Sequence, residues 1–291
     1  MDPETTVVIV ETFVNVLFLS LTALIGVELV VDWATGHEGR RWSETIDNVI
    51  VAIPNTAATA VVAGFLAPWL GAVLGPWRLV EIPVAWWSWP LALLAADLTY
   101  YVGHRLEHRV RLLWAHHSVH HSSTDYDLST SARIAWHDPL IGWTYAIPML
   151  IIGFNPGQFL AMQALVLVYQ TWIHTRKIDR LPGWFEAVFN NPSAHRVHHG
   201  SNPGYLDCNY GGMLMIWDRL FGTWVDETEP VRFGLTRPLG SRNPLWVNFG
   251  ETWLMIRDLV RRSGVDRLRT LVGPPEWAPA EERVAEPRAA H

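Results

Sequence analysis

The sequence predicts an all-α, polytopic integral membrane helical protein, with about four to five membrane or re-entrant helices and a histidine-rich helical cap on the cytoplasmic face. Three observations carry this prediction. Hydrophobic residues make up 49% of the chain and charged residues only 17%, against ~25% charged in soluble domains. Four long apolar runs are separated by short polar segments. Between and after those runs, histidines recur at the three- and four-residue spacings that share one face of a helix.

The runs come in order. Residues 7–31 form the first, broken only by Glu11 and Glu28, each near enough to an end to reach the interface. The preceding "MDPETTVV" lacks the basic flank and cleavage site of a secretory signal, so this run is expected to stay in the mature protein. Residues 49–77 carry no charge, and Pro54 and Asn55 near their start are tolerable in a membrane helix. The third run, 82–96, groups Trp86, Trp87 and Trp89 as an interfacial belt does. The fourth, 139–175, is uncharged and too long for one span. "FNPG" at 154–157 divides it into a helical hairpin whose arms are at the short limit of the ~20 residues a span needs.

Orientation follows from "GRR" at 39–41, after a first run preceded by no Lys or Arg. The positive-inside rule puts residues 33–48 in the cytoplasm. Two more crossings return the chain there near Tyr101, so every clustered histidine falls on that face. Residues 1–272 read as one integral membrane domain, with the histidine motifs within 97–139 and 174–225. From residue 273 the composition turns to Pro, Ala and Glu, as in a disordered tail. A formal charge of -6 without a basic run argues against nucleic acid as a partner. A single cysteine, Cys208, excludes an intrachain disulfide and a four-cysteine metal site.

Seven of the thirteen histidines lie between residues 104 and 139. His104 and His108 share a helix face with Asp97 and Tyr101. Asp97 is a candidate to orient a ligating ring, and the two are the candidate catalytic residues of that face. "HSVHH" supplies His117, His120 and His121, and "HRVHH" repeats the spacing with His195, His198 and His199. These eight neutral imidazoles suffice for two metal ions. His174, at the end of the hairpin, is a ninth candidate. His137, in "WHDP", is suited either to coordination or to a supporting role. His116 points ~100° away from His117 on a helix and is expected to miss the metals, while His37 and His291 are expected to be solvated. Asn191 fits a helix cap, and Asn191, Asp207 and Asn209 are candidates to support the ligands. Gly211 and Gly212 suggest close backbone approach.

Metal type is constrained by neighbours. Arg105 follows His104 where a zinc protease needs glutamate, and the Glu-x-x-His pairs of soluble di-iron bundles are absent. Nitrogen-rich sites suit redox iron, although zinc and copper also accept imidazole. A non-redox metal transporter is the alternative from another class. It needs ionisable residues across the bilayer, which runs 49–77 and 139–175 lack.

Three segments, "DLTYYVGHRLEH", "LWAHHSVHHSS" and "NPSAHRVHHGSNPGYLDCNYGGMLMIWDRLFGTW", resemble the fatty acid hydroxylase superfamily of membrane di-iron enzymes, which includes sterol desaturases. They span roughly residues 95–225 and are most similar to its alkylglycerol monooxygenase branch and to bacterial members. The resemblance implies two iron ions on the histidine boxes and O2 as co-substrate. It also implies hydroxylation of an unactivated C–H bond in a fatty acyl, ether-lipid or sterol-like substrate, with desaturation as the alternative outcome on the same core. The chain has no Gly-rich dinucleotide fingerprint, so electrons are expected from a separate reductase, ferredoxin, cytochrome or tetrahydropterin-type reductant. Arg105, Arg109, Arg111, Arg176 and Lys177 are candidates to face an acidic donor or to anchor membrane helices. Two departures stand out. Arg109 occupies the place of that branch's glutamate after the second histidine, and "RIAWHDP" resembles an element of the sterol-oxidase and bacterial branches that brings His137 toward the ligand set.

Overall fold

The structure, a computed structural model, describes residues 3–36 and 39–279. His37, His291 and the tail from residue 280 lie outside the described residues. Eleven α-helices run along the described chain. They are α1 Pro3–Thr35, α2 Trp42–Leu74, α3 Ser88–Arg109, α4 Arg111–His121, α5 Ile147–Ile152, α6 Pro156–Tyr169, α7 Gly183–Val188, α8 Pro192–His198, α9 Ile216–Phe221, α10 Pro244–Arg261 and α11 Gly264–Val272. Short 3-10 turns join them, and the described residues contain isolated bridges but no strand.

Among the described residues one helix, Asn15–Thr35 with a mean hydropathy of 2.0, is long and apolar enough to cross a membrane. Both long helices nevertheless turn large apolar side chains outward, including Phe18, Leu19 and Val30 on α1 and Ile53, Phe65 and Trp69 on α2. Such continuous exposed apolar rows mark a surface that something other than water covers.

Two side chains around the first loop are placed differently from expectation. Glu28 does not reach outward, and Arg40 of "GRR" does not point to solvent. Arg40 is buried and holds Glu28 at 2.8 Å, Asp32 at 2.7 Å and Asp127 at 2.6 Å, while Lys177 binds Asp32 at 2.5 Å. This buried ion cluster, with Arg41 N donating to Asp125, fixes the α1–α2 connection against the segment that follows the second histidine box.

The third run departs from expectation. Residues 78–87 are not helical. Pro83 disfavours helical backbone at Ile82, and the amides of Leu79, Val80 and Ile82 donate instead to the carbonyls of Ile151, Ile152 and Gly153. The close approach requires Gly153, whose φ is +126° and where a Cβ would sit 2.0 Å from the Val80 carbonyl oxygen. The hairpin does divide at "FNPG", but its first arm is 3-10 turns plus the six-residue α5. Asparagine followed by proline starts three helices: Asn155, Asn191 and Asn243 each accept an amide hydrogen bond from the first turn of α6, α8 and α10.

The main apolar core forms where the small residues Ala92 and Ala96 of α3 admit Phe159, Met162 and Val166 of α6. α4 follows α3 after a single extended residue, Val110, and packs between α3 and α10. Arg111, buried at its start, pairs with Glu251 and Asp258 of α10. The tail expected from residue 273 begins docked, since the Arg111 amide donates to the Gly273 carbonyl and Trp277 lies under the Arg262 guanidinium.

Candidate metal centre

Nine buried or nearly buried imidazoles converge from four places. α3 brings His104 and His108, α4 brings His117, His120 and His121, the end of the hairpin brings His174, and α8 with its cap brings His195, His198 and His199. They sort into two adjacent groups. His104, His108, His117, His121 and His198 form one, and His120, His174, His195 and His199 form the other; within each, one nitrogen per ring lies within 4.8 Å of all the rest. Each triplet is split. The i,i+4 pair of α4 serves the group of five and its i+3 member serves the group of four, while α8 does the reverse.

The outer nitrogens show how the rings are held. His104 Nδ1 donates to the Tyr210 carbonyl at 2.9 Å and His198 Nδ1 to the Cys208 carbonyl at 2.9 Å. His120 Nδ1 meets the Arg133 carbonyl at 3.2 Å and His174 Nδ1 the Gln170 carbonyl at 2.7 Å. His117 Nδ1 lies 3.0 Å from the Glu107 carboxylate. A carbonyl accepts only from N–H, so these contacts place the proton on Nδ1 and leave the Nε2 lone pair facing inward. Inside the groups the inward nitrogens face one another: His117 Nε2 stands 3.0 Å from His104 Nε2 and 3.1 Å from His121 Nε2, and His174 Nε2 stands 3.0 Å from His195 Nε2 and 3.2 Å from His120 Nε2. His104 with His117, and His120 with His174, therefore meet lone pair to lone pair, and such pairs repel unless they share an electrophile. The Nε2 atoms of His108, His198 and His199 are buried with no hydrogen-bond partner. Residue types, tautomers and orphaned nitrogens all fit a pair of metal ions.

Burial and the neighbouring rings hold His108, His120, His121, His195, His198 and His199 well below the usual imidazole range, so they stay neutral as ligands must.

The other sequence candidates are placed as follows. Asp97 is fully buried but touches no histidine. It accepts from the amides of Met213 and Leu214 and from Trp217 Nε1, tying α3 to the last motif. The hydrogen bond expected of it on His104 is made by Tyr210 instead, because Asp97 sits about 10 Å further down the helix. Tyr101 likewise faces away, with its hydroxyl 2.9 Å from Thr223 Oγ1 and its ring stacked on Phe221. His137 joins neither group. Its ring stacks on Phe249, next to His116. His116 misses both groups, as expected, and binds Glu107 at 3.1 Å with Asp138 at 3.6 Å. Asn191 caps α8 through the Ala194 amide, and Asn209 clamps Ala194 and Val225. Asp207 lies 3.9 Å from His108 Nδ1 and is held by Arg109 at 2.7 Å. Of the five basic residues considered for a donor surface, Arg109, Arg111, Arg176 and Lys177 are engaged in intramolecular ion pairs.

Glu107 and Asp218 were not singled out from the sequence as supporting residues. Asp218 receives the amides of Tyr210 and Gly211 and so shapes the segment that orients His104. Glu107 had a usable signal, since it lies three residues after His104 and one before His108 on the same helix.

An all-helical scaffold that turns two neighbouring sets of Nε2 atoms inward defines a histidine-box protein. Residues 89–223 match the fatty acid hydroxylase family. It is 36% identical over 269 residues to alkylglycerol monooxygenase from Xenopus tropicalis, covering 89% of this chain and 58% of the relative. The human alkylglycerol monooxygenase is 33% identical over 277 residues, 92% of this chain and 60% of the relative. An ornithine lipid hydroxylase from Rhizobium tropici is 30% identical over 150 residues, 49% of this chain and 45% of the relative. The chain thus spans about three-fifths of the length of those two monooxygenases. No solved structure matches.

Proposed function

We propose that this protein is a membrane-embedded, O2-dependent di-iron monooxygenase that hydroxylates an unactivated C–H bond of a lipid. The observation that carries the reading is the pair of imidazole groups, with the outer nitrogens of four rings on carbonyls and one nitrogen of every ring convergent within its group. The relatives are named for oxidising alkylglycerols and ornithine lipids, which supports a lipid substrate, and the resemblance of the histidine motifs to the fatty acid hydroxylase superfamily is what favours iron.

His104, His108, His117, His121 and His198 would hold one iron, and His120, His174, His195 and His199 the other. When bound, the irons supply the redox chemistry that activates O2 with electrons from a separate donor. The protein's part is positioning. Neutral imidazoles leave each ion its charge, carbonyls fix the tautomers, and burial keeps bulk water from the reacting centre. The exposed apolar rows of α1 and α2 support a multi-pass arrangement. The Arg40 cluster, which ties the basic loop to the histidine-bearing side, supports a centre on the cytoplasmic face.

The test is to purify the protein in detergent from iron-supplemented cells and count metals in the wild type and in His120→Ala and His198→Ala. Two irons per chain are expected, with each variant keeping one. Incubation with alkylglycerol and ornithine-lipid substrates under 18O2 and a ferredoxin or pterin reductant should then give one labelled hydroxyl per turnover. No iron in the wild type, or no labelled product from any lipid tried with an iron-loaded protein, would overturn the reading.

A further inference from the structure

We propose that α10 and α11 form an in-plane element that docks on an anionic lipid surface. On α10 the side chains of Leu245, Phe249, Trp253, Ile256 and Val260 are 41–76% exposed. At 100° per residue they fall within an arc of roughly 80°. On α11, Val265, Leu268 and Val272 repeat the pattern at i, i+3, i+7 and are 55–59% exposed. The opposite face of α10 is spent inside the protein: Val247 enters a core with Val51, Val119 and Ala135, and Glu251 and Asp258 turn inward to Arg111. α10 is therefore oriented by its packing, and the apolar strip is what remains outside.

Charge selects the occupant. Glu251 of α10 is tied to Arg111, Asp258 is shared between Arg111 and Arg257, and Asp266 of α11 lies beside Arg269. Arg257 and Arg261 border the α10 strip, and Arg267 and Arg269 are exposed on α11. A chain of formal charge -6 thus presents a local basic rim around an apolar band with a tryptophan in it, the composition of a helix lying in the headgroup region. A second copy packed symmetrically would set this arginine rim against itself.

Docking has a geometric consequence, which rests on the oxygenase reading where the docking itself does not. The inner side of α10 packs on α4, the helix of His117, His120 and His121. Packed helix axes are about 8–10 Å apart, so the centre would sit roughly one helix thickness from the lipid surface, and a lipid substrate would not need to leave the bilayer.

The experiment uses the full chain reconstituted in phosphatidylcholine vesicles with or without phosphatidylglycerol. Val260→Cys and Leu268→Cys are labelled singly with an environment-sensitive fluorophore. Asp179→Cys, at a side chain 99% exposed, is the aqueous reference, and the wild type with its buried Cys208 is the blank. Labels at 260 and 268 should be quenched by brominated acyl chains and shielded from aqueous iodide several-fold relative to 179. Phosphatidylglycerol should increase the shielding, and Arg257→Gln/Arg261→Gln/Arg269→Gln should remove that increase. Iodide access equal to that at 179 would overturn the proposal. So would shielding without bromolipid quenching, which means a protein cover, or shielding indifferent to phosphatidylglycerol and to the arginines.

Discussion

Replacing Glu107 by glutamine tests whether the group of five is set by its supporting hydrogen bonds. The carboxylate is buried, and three donors converge on it: His117 Nδ1 at 3.0 Å, His116 Nε2 at 3.1 Å, and the Tyr145 hydroxyl. Burial alone would push the acid up, but His117 and His116 beside it hold it well below the usual carboxylate range, so it is ionised. Glu107→Gln keeps the volume and removes the charge. An amide has one acceptor oxygen; if that serves Tyr145 and His116, the amide NH2 faces His117 Nδ1. The ring must then carry its proton on Nε2, pointing at His104 and His121.

Losing a hydrogen bond to a charged acceptor costs about 1.5–3 kcal/mol. Losing an outer carboxylate lowers metal affinity about 10- to 100-fold, or about 1.4–2.8 kcal/mol. The two estimates agree in scale. Chelator competition on the iron-loaded protein should therefore show one of two ions released more easily in Glu107→Gln, with the ion on His120, His174, His195 and His199 unchanged. Equal weakening of both ions, or of neither, would refute the reasoning.

Three further outcomes follow from the same structure. Arg40→Ala leaves Asp127 as a buried carboxylate without its cation and leaves Glu28 and Asp32 to Lys177 alone, and should cost about 3–5 kcal/mol of stability in denaturant titration; a loss below about 1 kcal/mol would show that the cluster is dispensable. Six ligand-group histidines have folded-state values far below the unfolded value near 6.5. The unfolded chain then binds more protons in acid, and the metal-free protein should lose stability as the pH falls below about 6.5, by up to about 1.4 kcal/mol per pH unit for each ring. A stability flat between about pH 7.5 and 5 would contradict this. Gly153→Ala puts a Cβ against the Val80 carbonyl at positive φ and should clearly lower the stability in denaturant titration, whereas Gly204→Ala, with nothing within 4 Å, should leave the stability unchanged within about 0.5 kcal/mol.

What the sequence disclosed was local. Helical spacing identifies His104 with His108, and the two triplets, because rings three or four apart share a face whatever the tertiary fold. The distribution of each triplet between two groups was not legible, since it depends on how α3, α4, α8 and the hairpin end meet. Asp97 misled for the same reason: helix phase aligned it with His104, but its distance along the axis placed it under the 213–217 segment. His137 lies in a suggestive motif, yet Phe249 of α10, to which no sequence expectation was attached, takes its ring. The carbonyls that orient four of the rings have no side-chain signature at all. The third apolar run carried its own correction, because Pro83 already argued against helix where hydropathy alone suggested a span.

The segment from Asp207 to Tyr210 connects these points. Asp207 and Asn209 are the non-glycine residues with positive φ among those described, at 58° and 55°, a region that Asp and Asn enter more readily than other side chains. Alternating left-handed residues turn the intervening peptides so that the carbonyls of Cys208 and Tyr210 both reach imidazoles, those of His198 and His104. The clamps are external to the metal groups: Asn209 on Ala194 and Val225, Asp218 on the amides of Tyr210 and Gly211, and Arg109 on Asp207. Arg109 therefore does more than occupy the position after the second histidine. By pairing with Asp207 it holds a carboxylate 3.9 Å from His108 Nδ1, so an acidic group stands beside that ring even though its neighbour in sequence is basic. The acid comes from the Asp207–Tyr210 segment rather than from α3, and the arginine is what keeps it there.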